Sequence, residues 1–196
     1  MGKLQERTKP LLVPMLKAET ISMLKKNQTT LAAWTAMFVM TSEFMAPEKM
    51  AISVQERRFL KKRQRPPHQW RIWIGKRDTD PLNVRWIHDV FTFLKDKSEA
   101  APPGTIPAGN TQASTILLGQ QLVIHAMSSS VARSIIKRWR HPESIERKIQ
   151  QIWPVTNREV TWPNIGAPLS SDEVRQLAKH FWNELDTGAK IRNGFL

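Results

Sequence analysis

Nine lysine and arginine residues fall between Arg57 and Arg77 with no acidic residue among them: Arg57, Arg58, Lys61, Lys62, Arg63, Arg65, Arg71, Lys76 and Arg77. Cations at this density point to the binding of a polyanion through its phosphates. On a helix, Arg57 and Lys61, like Arg58 and Lys62, stand four residues apart and repel by about a few tenths of a kcal/mol per pair. An anionic partner offsets that cost. If about five of these side chains meet duplex phosphates, log affinity falls with log salt at a slope near −4.5. Trp70 and Trp73 interleave with the basic residues and, on a strand, point to opposite faces. One is a candidate for stacking on an unpaired base, while the other belongs to the core. The alternative is a solvated basic face above two core tryptophans. A second basic group, Arg133, Lys137, Arg138 and Arg140, is diluted by the following Glu143 and Glu146.

No other constellation in the chain has the spacing of a catalytic or metal site. There is no cysteine, so thiolate metal ribbons, Cys nucleophiles and disulfides are excluded. The five histidines, His68, His88, His125, His141 and His180, form no H-x3-H or H-E-x-x-H pair. His125, beside Val123 and Met127, reads as a hydrogen-bonded core residue. His88 and Asp89 are adjacent on a strand, point to opposite faces and cannot orient each other as an acid–base pair. Asp78 and Asp80 bracket Thr79 in turn chemistry closed by Pro81. Glu146-Arg147-Lys148 has the form of a nuclease E-x-K tail, but it lacks an apolar strand to carry it and an acidic partner upstream. Ser128-Ser129-Ser130 lacks the glycines of a nucleophile elbow and reads as a helix entry. No metal, cofactor or catalytic residue is expected.

The elements that would position the basic stretch can be read from periodicity. Leu31 to Met45 is the most apolar segment, interrupted by Thr35, Thr41, Ser42 and Glu43, and predicts a buried helix. Asn27 or Thr29 would cap it, Met37, Met40 and Phe44 would widen its apolar side, and Pro47 would end it. Pro10 and Pro14 break the segment before it, leaving a short kinked helical piece over Leu11 to Leu16. Ser53-Val54-Gln55-Glu56 is an S-x-x-E capping box that opens a basic helix running to Arg63, held to the core by Val54, Phe59 and Leu60. Period-two alternation from Trp70 to Gly75 predicts a strand, and Val84 to Phe93 a second strand paired with it. Glu99 to Asn110 reads as a loop. Ser114 to Met127 reads as one long bent strand, or two, around Gly119, which marks a bulge or close packing. A short helix follows over Val131–Trp139, then two Trp-Pro turns at Trp153-Pro154 and Trp162-Pro163. A last helix is capped by Ser170 to Glu173, buries Val174, Leu177, Phe181, Trp182 and Leu185, and ends at Gly188. The tail from Ala189 reads as loose. Helices, a strand meander and a closing helix predict an α+β fold with a mainly antiparallel sheet. The expected division is an N-terminal helical segment, 1–66, packed as one unit with an α+β body, 67–196.

Composition sets the partners. The chain has 196 residues, 40% of them hydrophobic, with eight Trp and seven Phe, enough to build a core. Thirty Lys and Arg against seventeen Asp and Glu give a net charge of +13, which favours nucleic acid over an acidic protein or an anionic membrane. No uninterrupted apolar run is long enough for a membrane span, no signal peptide is visible, and a cytoplasmic location is the default.

Several phrases in order resemble the C-terminal region of a bacterial family of HNH-endonuclease-like proteins. They are Lys3-Leu4-Gln5-Glu6-Arg7 with Lys9-Pro10-Leu11-Leu12, Leu31-Ala32-Ala33-Trp34, Trp73-Ile74-Gly75-Lys76, Leu118-Gly119-Gln120 with His125 and Ser128-Ser129, and the two Trp-Pro pairs. Met1 to Arg7 themselves read like the last turns of a helix whose front half is missing, and the resemblance implies that Met1 corresponds to the end of the family's front part. The family's metal-binding front part carries paired Cys-x-x-Cys motifs and a Glu-His pair that supplies the base, and none of these is in this chain. The resemblance therefore implies nucleic-acid binding, to DNA rather than RNA, without catalysis. Two further expectations stay open: half of a split nuclease completed by a separate metal-finger polypeptide, and an interaction subunit docking an acidic partner.

Overall fold

The computed structural model describes residues 2–47, 50–78, 86–91, 109–130, 136 and 139–186, with 180–186 as backbone. In chain order its elements are α1 (Gly2–Leu16), β1 (Ile21–Leu24), α2 (Lys25–Ser42) with a 3-10 turn (Glu43–Met45), α3 (Val54–Arg63), β2 (Trp70–Lys76), β3 (Trp86–Phe91), β4 (Thr111–Leu118), β5 (Leu122–Ser129), α4 (Glu143–Glu146), β6 (Ile149–Trp153), β7 (Glu159–Trp162) and α5 (Ser171–Asp186). This is an α+β fold with helices first and last around antiparallel sheets.

The main sheet has the order β3-β4-β5-β2-β6, with every neighbouring pair antiparallel. Alternation along β2 decides what each face buries. Trp70, Ile72 and Ile74 join Leu31, Ala36 and Val39 of α2 in one apolar cluster. Trp73 points the other way and joins Val123 and Met127 of β5, Ile145 of α4, and Val174 and Leu177 of α5 in a second. The sheet therefore lies between two helical layers, and the cluster on the α2 side holds residues from both 1–66 and 67–196. β2 is an interior strand buried on both faces, so even a methyl group at Gly75 would stand 3.0 Å from Ile149 and Leu169.

Several sequence expectations are corrected. α1 is continuous through Pro10 and Pro14. The donors these prolines lack would have faced the carbonyls of Glu6 and Pro10, on exposed residues where water can take their place, while Leu4, Thr8 and Met15 hold the helix to the core. β3 pairs with β4 and not with β2, whose neighbours are β5 and β6. A meander of consecutive strands would have put β3 beside β2. Instead β5, buried along its whole length, takes that central place. Of the readings of the apolar stretch around Gly119, two strands and close packing hold and the single bent strand does not: Gly119 opens the turn between them, at φ 58° and packed closely on Leu16. The Trp-Pro pairs are strand ends: β6 closes at Trp153 and β7 at Trp162. β1 and β7 form a separate two-stranded sheet that the sequence pattern does not announce. Ser128 and Ser129 lie in β5 and are not a helix entry.

α2 starts before Asn27, after Leu24, with no side-chain cap bond. Its tight pack of Ala32, Ala33 and Ala36 lets it approach the sheet closely, leaving Trp34 and Phe38 half-buried. His125 is the hydrogen-bonded core residue expected, with Nδ1 2.8 Å from Thr115 Oγ1. α5 opens on the expected cap, Glu173 N donating to Ser170 Oγ at 3.2 Å and Ser170 N to Glu173 Oε2 at 2.8 Å. The turn over 79–81, most of the loop 99–110, nearly all of the helix over 131–139, the tail, and the side chains of Phe181, Trp182 and Leu185 lie outside the described residues.

Candidate nucleic-acid interface

α3 presents two opposite chemistries on its two sides. At its N-terminus the capping box forms in full: Glu56 N donates to Ser53 Oγ at 3.3 Å, and Ser53 N donates to Glu56 Oε2 at 2.9 Å. Glu56 is buried, and its second carboxylate oxygen accepts the Trp70 indole N–H at 3.0 Å. Leu60 completes the inner side, whereas Val54 is 58% exposed and contributes no anchor. At the C-terminus Gln64 takes the left-handed conformation (φ 53°) and its backbone N–H reaches Leu60 O at 2.9 Å. Lys61, Lys62 and Arg63 occupy the last turn, where the helix dipole favours positive charge.

A second clamp comes from the 3-10 turn after α2. Glu43 is fully buried and accepts the backbone N–H groups of Ala51 at 2.9 Å and Ile52 at 3.2 Å, together with the Arg57 guanidinium. Burial pushes the Glu43 carboxyl above its usual range, and the Ala51 bond, the Arg57 charge and the Ile52 bond pull it down without cancelling the effect. Arg57 also donates to the Met40 carbonyl and lies over the Phe44 ring, 4.6 Å from its centroid. His88 stands 3.6 Å from Glu43 through Nε2 and 2.7 Å from Ser114 Oγ through Nδ1, with Trp86 stacked on it at 5.2 Å. Its partners come from another strand and from the 3-10 turn, and neither is Asp89.

The nine cations of the sequence pattern are thereby divided. Arg58, Lys61, Lys62, Arg63 and Arg65 are exposed on the outer side of α3 and just beyond it, and among the described residues none of them has a carboxylate partner. Arg57 belongs to the internal clamp. Arg71 is half-buried and donates to the His68 carbonyl at 3.1 Å and the Trp70 carbonyl at 2.9 Å, with burial lowering its guanidinium pKa. Arg77 is 8% exposed and donates to the Gly119 carbonyl at 3.0 Å. Lys76 is half-buried at the end of β2, away from α3 along the chain. Charge alone could not separate these two groups, because the inner acceptors are mostly carbonyls and one distant glutamate.

Both tryptophans are corrected as stacking candidates. Trp70 is 0% and Trp73 4% exposed. Trp70 packs toward α2 and is tied to Glu56, while Trp73 packs against both His125 and His141, edge-on to the latter at 4.7 Å. A strand with helices on both faces has no wet side on which to display a ring. Among the described residues, the markedly exposed phenyl or indole ring is one that the periodicity assigns to the core. Phe44 is 62% and Met45 82% exposed, because the 3-10 turn rotates Glu43 inward and these two outward. The only hints in sequence are the acid inside an apolar run and the nearby Pro47.

Among the described residues no helix is long and apolar enough to cross a membrane, and no three His, Cys, Asp or Glu side chains gather where they could hold a metal ion. No protein-family model, curated protein or solved structure matches the chain.

Proposed function

We propose that this chain is a nucleic-acid-binding domain that grips phosphates with the outer side of α3, as the non-catalytic part of an HNH-endonuclease-like protein. One observation carries the binding: five exposed cations, Arg58, Lys61, Lys62, Arg63 and Arg65, without a carboxylate partner among the described residues, on and just beyond a helix capped at both ends. A protein of net charge +13 adds long-range attraction for a polyanion. The rigid anchoring of α3 supports the reading, because a cationic surface already in place loses little order on binding. The nuclease class comes from the sequence resemblance, and DNA is the expected polymer for the same reason.

Fluorescence anisotropy with labelled DNA over a salt series tests the proposal. Binding that weakens steeply with salt, and that weakens further on neutralising Lys61 and Lys62, is the expected result. Binding without salt dependence, or tight association with an acidic protein and none with nucleic acid, would overturn it.

A further inference from the structure

We infer that the polymer taken by α3 is single-stranded, and that Phe44 is the ring on which one of its bases stacks. This rests on the nucleic-acid reading and names the substrate form within it.

Three observations meet at Phe44. The ring is 62% exposed although it is a large hydrophobe in a protein with a well-filled core. One of its faces is covered by the Arg57 guanidinium at 4.6 Å, and that guanidinium is held in turn by the buried Glu43 carboxylate and the Met40 carbonyl. The ring therefore has a fixed backing on one side and solvent around the rest. Finally, the exposed Lys61 stands four residues after Arg57, one turn further along the same side of α3, so the ring and a phosphate-gripping side chain share one helix as their support.

An aromatic ring beside a cationic track is the arrangement that binds an unpaired strand: the cations follow the backbone and the ring takes a base face. A duplex keeps its base faces inside the stack and offers the ring nothing, so Phe44 discriminates between the two forms. An arginine already lying under the ring would extend the stack to guanidinium, phenyl and base, with no side chain left to order when the base arrives. An anionic membrane would be the other occupant of a basic, partly apolar surface. It calls for a broad apolar face along the helix, whereas the markedly exposed apolar residues here are Phe44 and Met45 on the 3-10 turn and Val54 at the start of α3, with none further along α3.

The test uses the full chain, a labelled oligo-dT and a duplex of equal length, with wild type, Phe44→Ala, Phe44→Leu, Phe44→Trp and the double variant K61Q/K62Q. Phe44→Ala is expected to weaken oligo-dT binding about 5- to 100-fold, the range of one lost base stack, and to leave duplex binding and the salt slope unchanged. Phe44→Trp should bind as wild type does, while Phe44→Leu, which keeps apolar bulk and loses the ring, should behave as Phe44→Ala. K61Q/K62Q should weaken both ligands and flatten both salt slopes. Thermal denaturation checks that the Phe44 variants remain folded, as the ring's exposure predicts.

Equal losses on both ligands, no loss on either, or a Leu variant indistinguishable from wild type would each overturn the stacking role. Intact duplex binding with no Phe44 effect sinks this inference alone, whereas no salt-dependent binding of either ligand sinks the underlying function. Sedimentation with phosphatidylserine-containing vesicles is the remaining arm. Vesicle binding abolished by Phe44→Ala, alongside unaltered oligo-dT binding, would replace the proposal with a membrane contact.

Discussion

Two cation-bearing regions of this molecule are built in opposite ways. Around α4 and the start of α5, each cation of the pairs has its acid at hand: Arg147 with Glu143, Lys148 with Glu173 at 2.8 Å, and Arg175 with Asp172 at 2.6 Å. Along α3 the nearby acids are turned inward. Glu56 serves Ser53 and Trp70, and Glu43 serves Ala51, Ile52 and Arg57. Charge density alone does not separate these regions, but the direction of the carboxylates does. In the first region these three cations are each paired within it. The second keeps its anions as internal fasteners and leaves its cations without counter-charge among the described residues.

Removing the inward fasteners should have the largest effects on stability. Glu43→Ala strips a buried carboxylate from Arg57 and from two backbone donors, and is expected to cost about 3–5 kcal/mol in chemical denaturation. A loss below about 1 kcal/mol would mean that Glu43 is no better than a surface acid. Trp70→Phe leaves one oxygen of the buried Glu56 without its indole donor and should cost about 1–3 kcal/mol. In the other region, Lys148→Ala removes a half-buried pair and should cost about 1 kcal/mol. Neutralising Arg58 with Lys62 should change stability by less than about 0.5 kcal/mol, or raise it slightly by relieving repulsion. The same double variant should nonetheless weaken DNA binding, the reverse of what Lys148→Ala does. A double variant that unfolded the protein would erase the contrast between the regions.

The two regions should also differ in the sign of their pH dependence. Burial is the largest single influence on Glu173 and raises it, but the hydrogen bonds from Lys148 and Ser170 and the Lys148 charge together prevail and hold its carboxyl below the usual value of 4.5. Its contribution is present above that value and lost as pH falls through the depressed pKa. Glu43 is raised, so its contribution is fully present below 4.5 and lost as pH rises through the raised pKa. As pH rises toward 4.5, E173Q should lose stability relative to wild type, and as pH rises above 4.5, E43Q should gain it. Denaturation midpoints of both variants across those ranges check the signs, and parallel curves would contradict the assignment.

Features written in local spacing were legible in the sequence. The Ser53 to Glu56 capping box, the alternation of Trp70, Ile72 and Ile74, and the core role of His125 need only neighbours along the chain or one apolar setting. The misreadings involve distance. β1 is four residues that acquire meaning only when β7 arrives from more than a hundred residues away. Which of Trp70 and Trp73 could be a stacking ring stays open in the sequence, and α4 and α5 close the Trp73 side by covering that face of the sheet. Phe44 looks like a core ring until Glu43 is captured by Ala51 and Ile52 and turns the chain. The basic stretch was visible as charge. Its division into five outward cations and an inward remainder depended on acceptors that no spacing rule places.

The salt dependence of binding tests the central claim most directly. If the five outward cations of α3 meet phosphates, log affinity for oligo-dT against log salt should fall with a slope near −3.5, five contacts at about −0.7 each. Replacing Arg58, Lys61, Lys62, Arg63 and Arg65 by glutamine should bring that slope close to zero in a protein that still folds. A wild-type slope near zero, or a steep slope that survives all five replacements, would contradict the account.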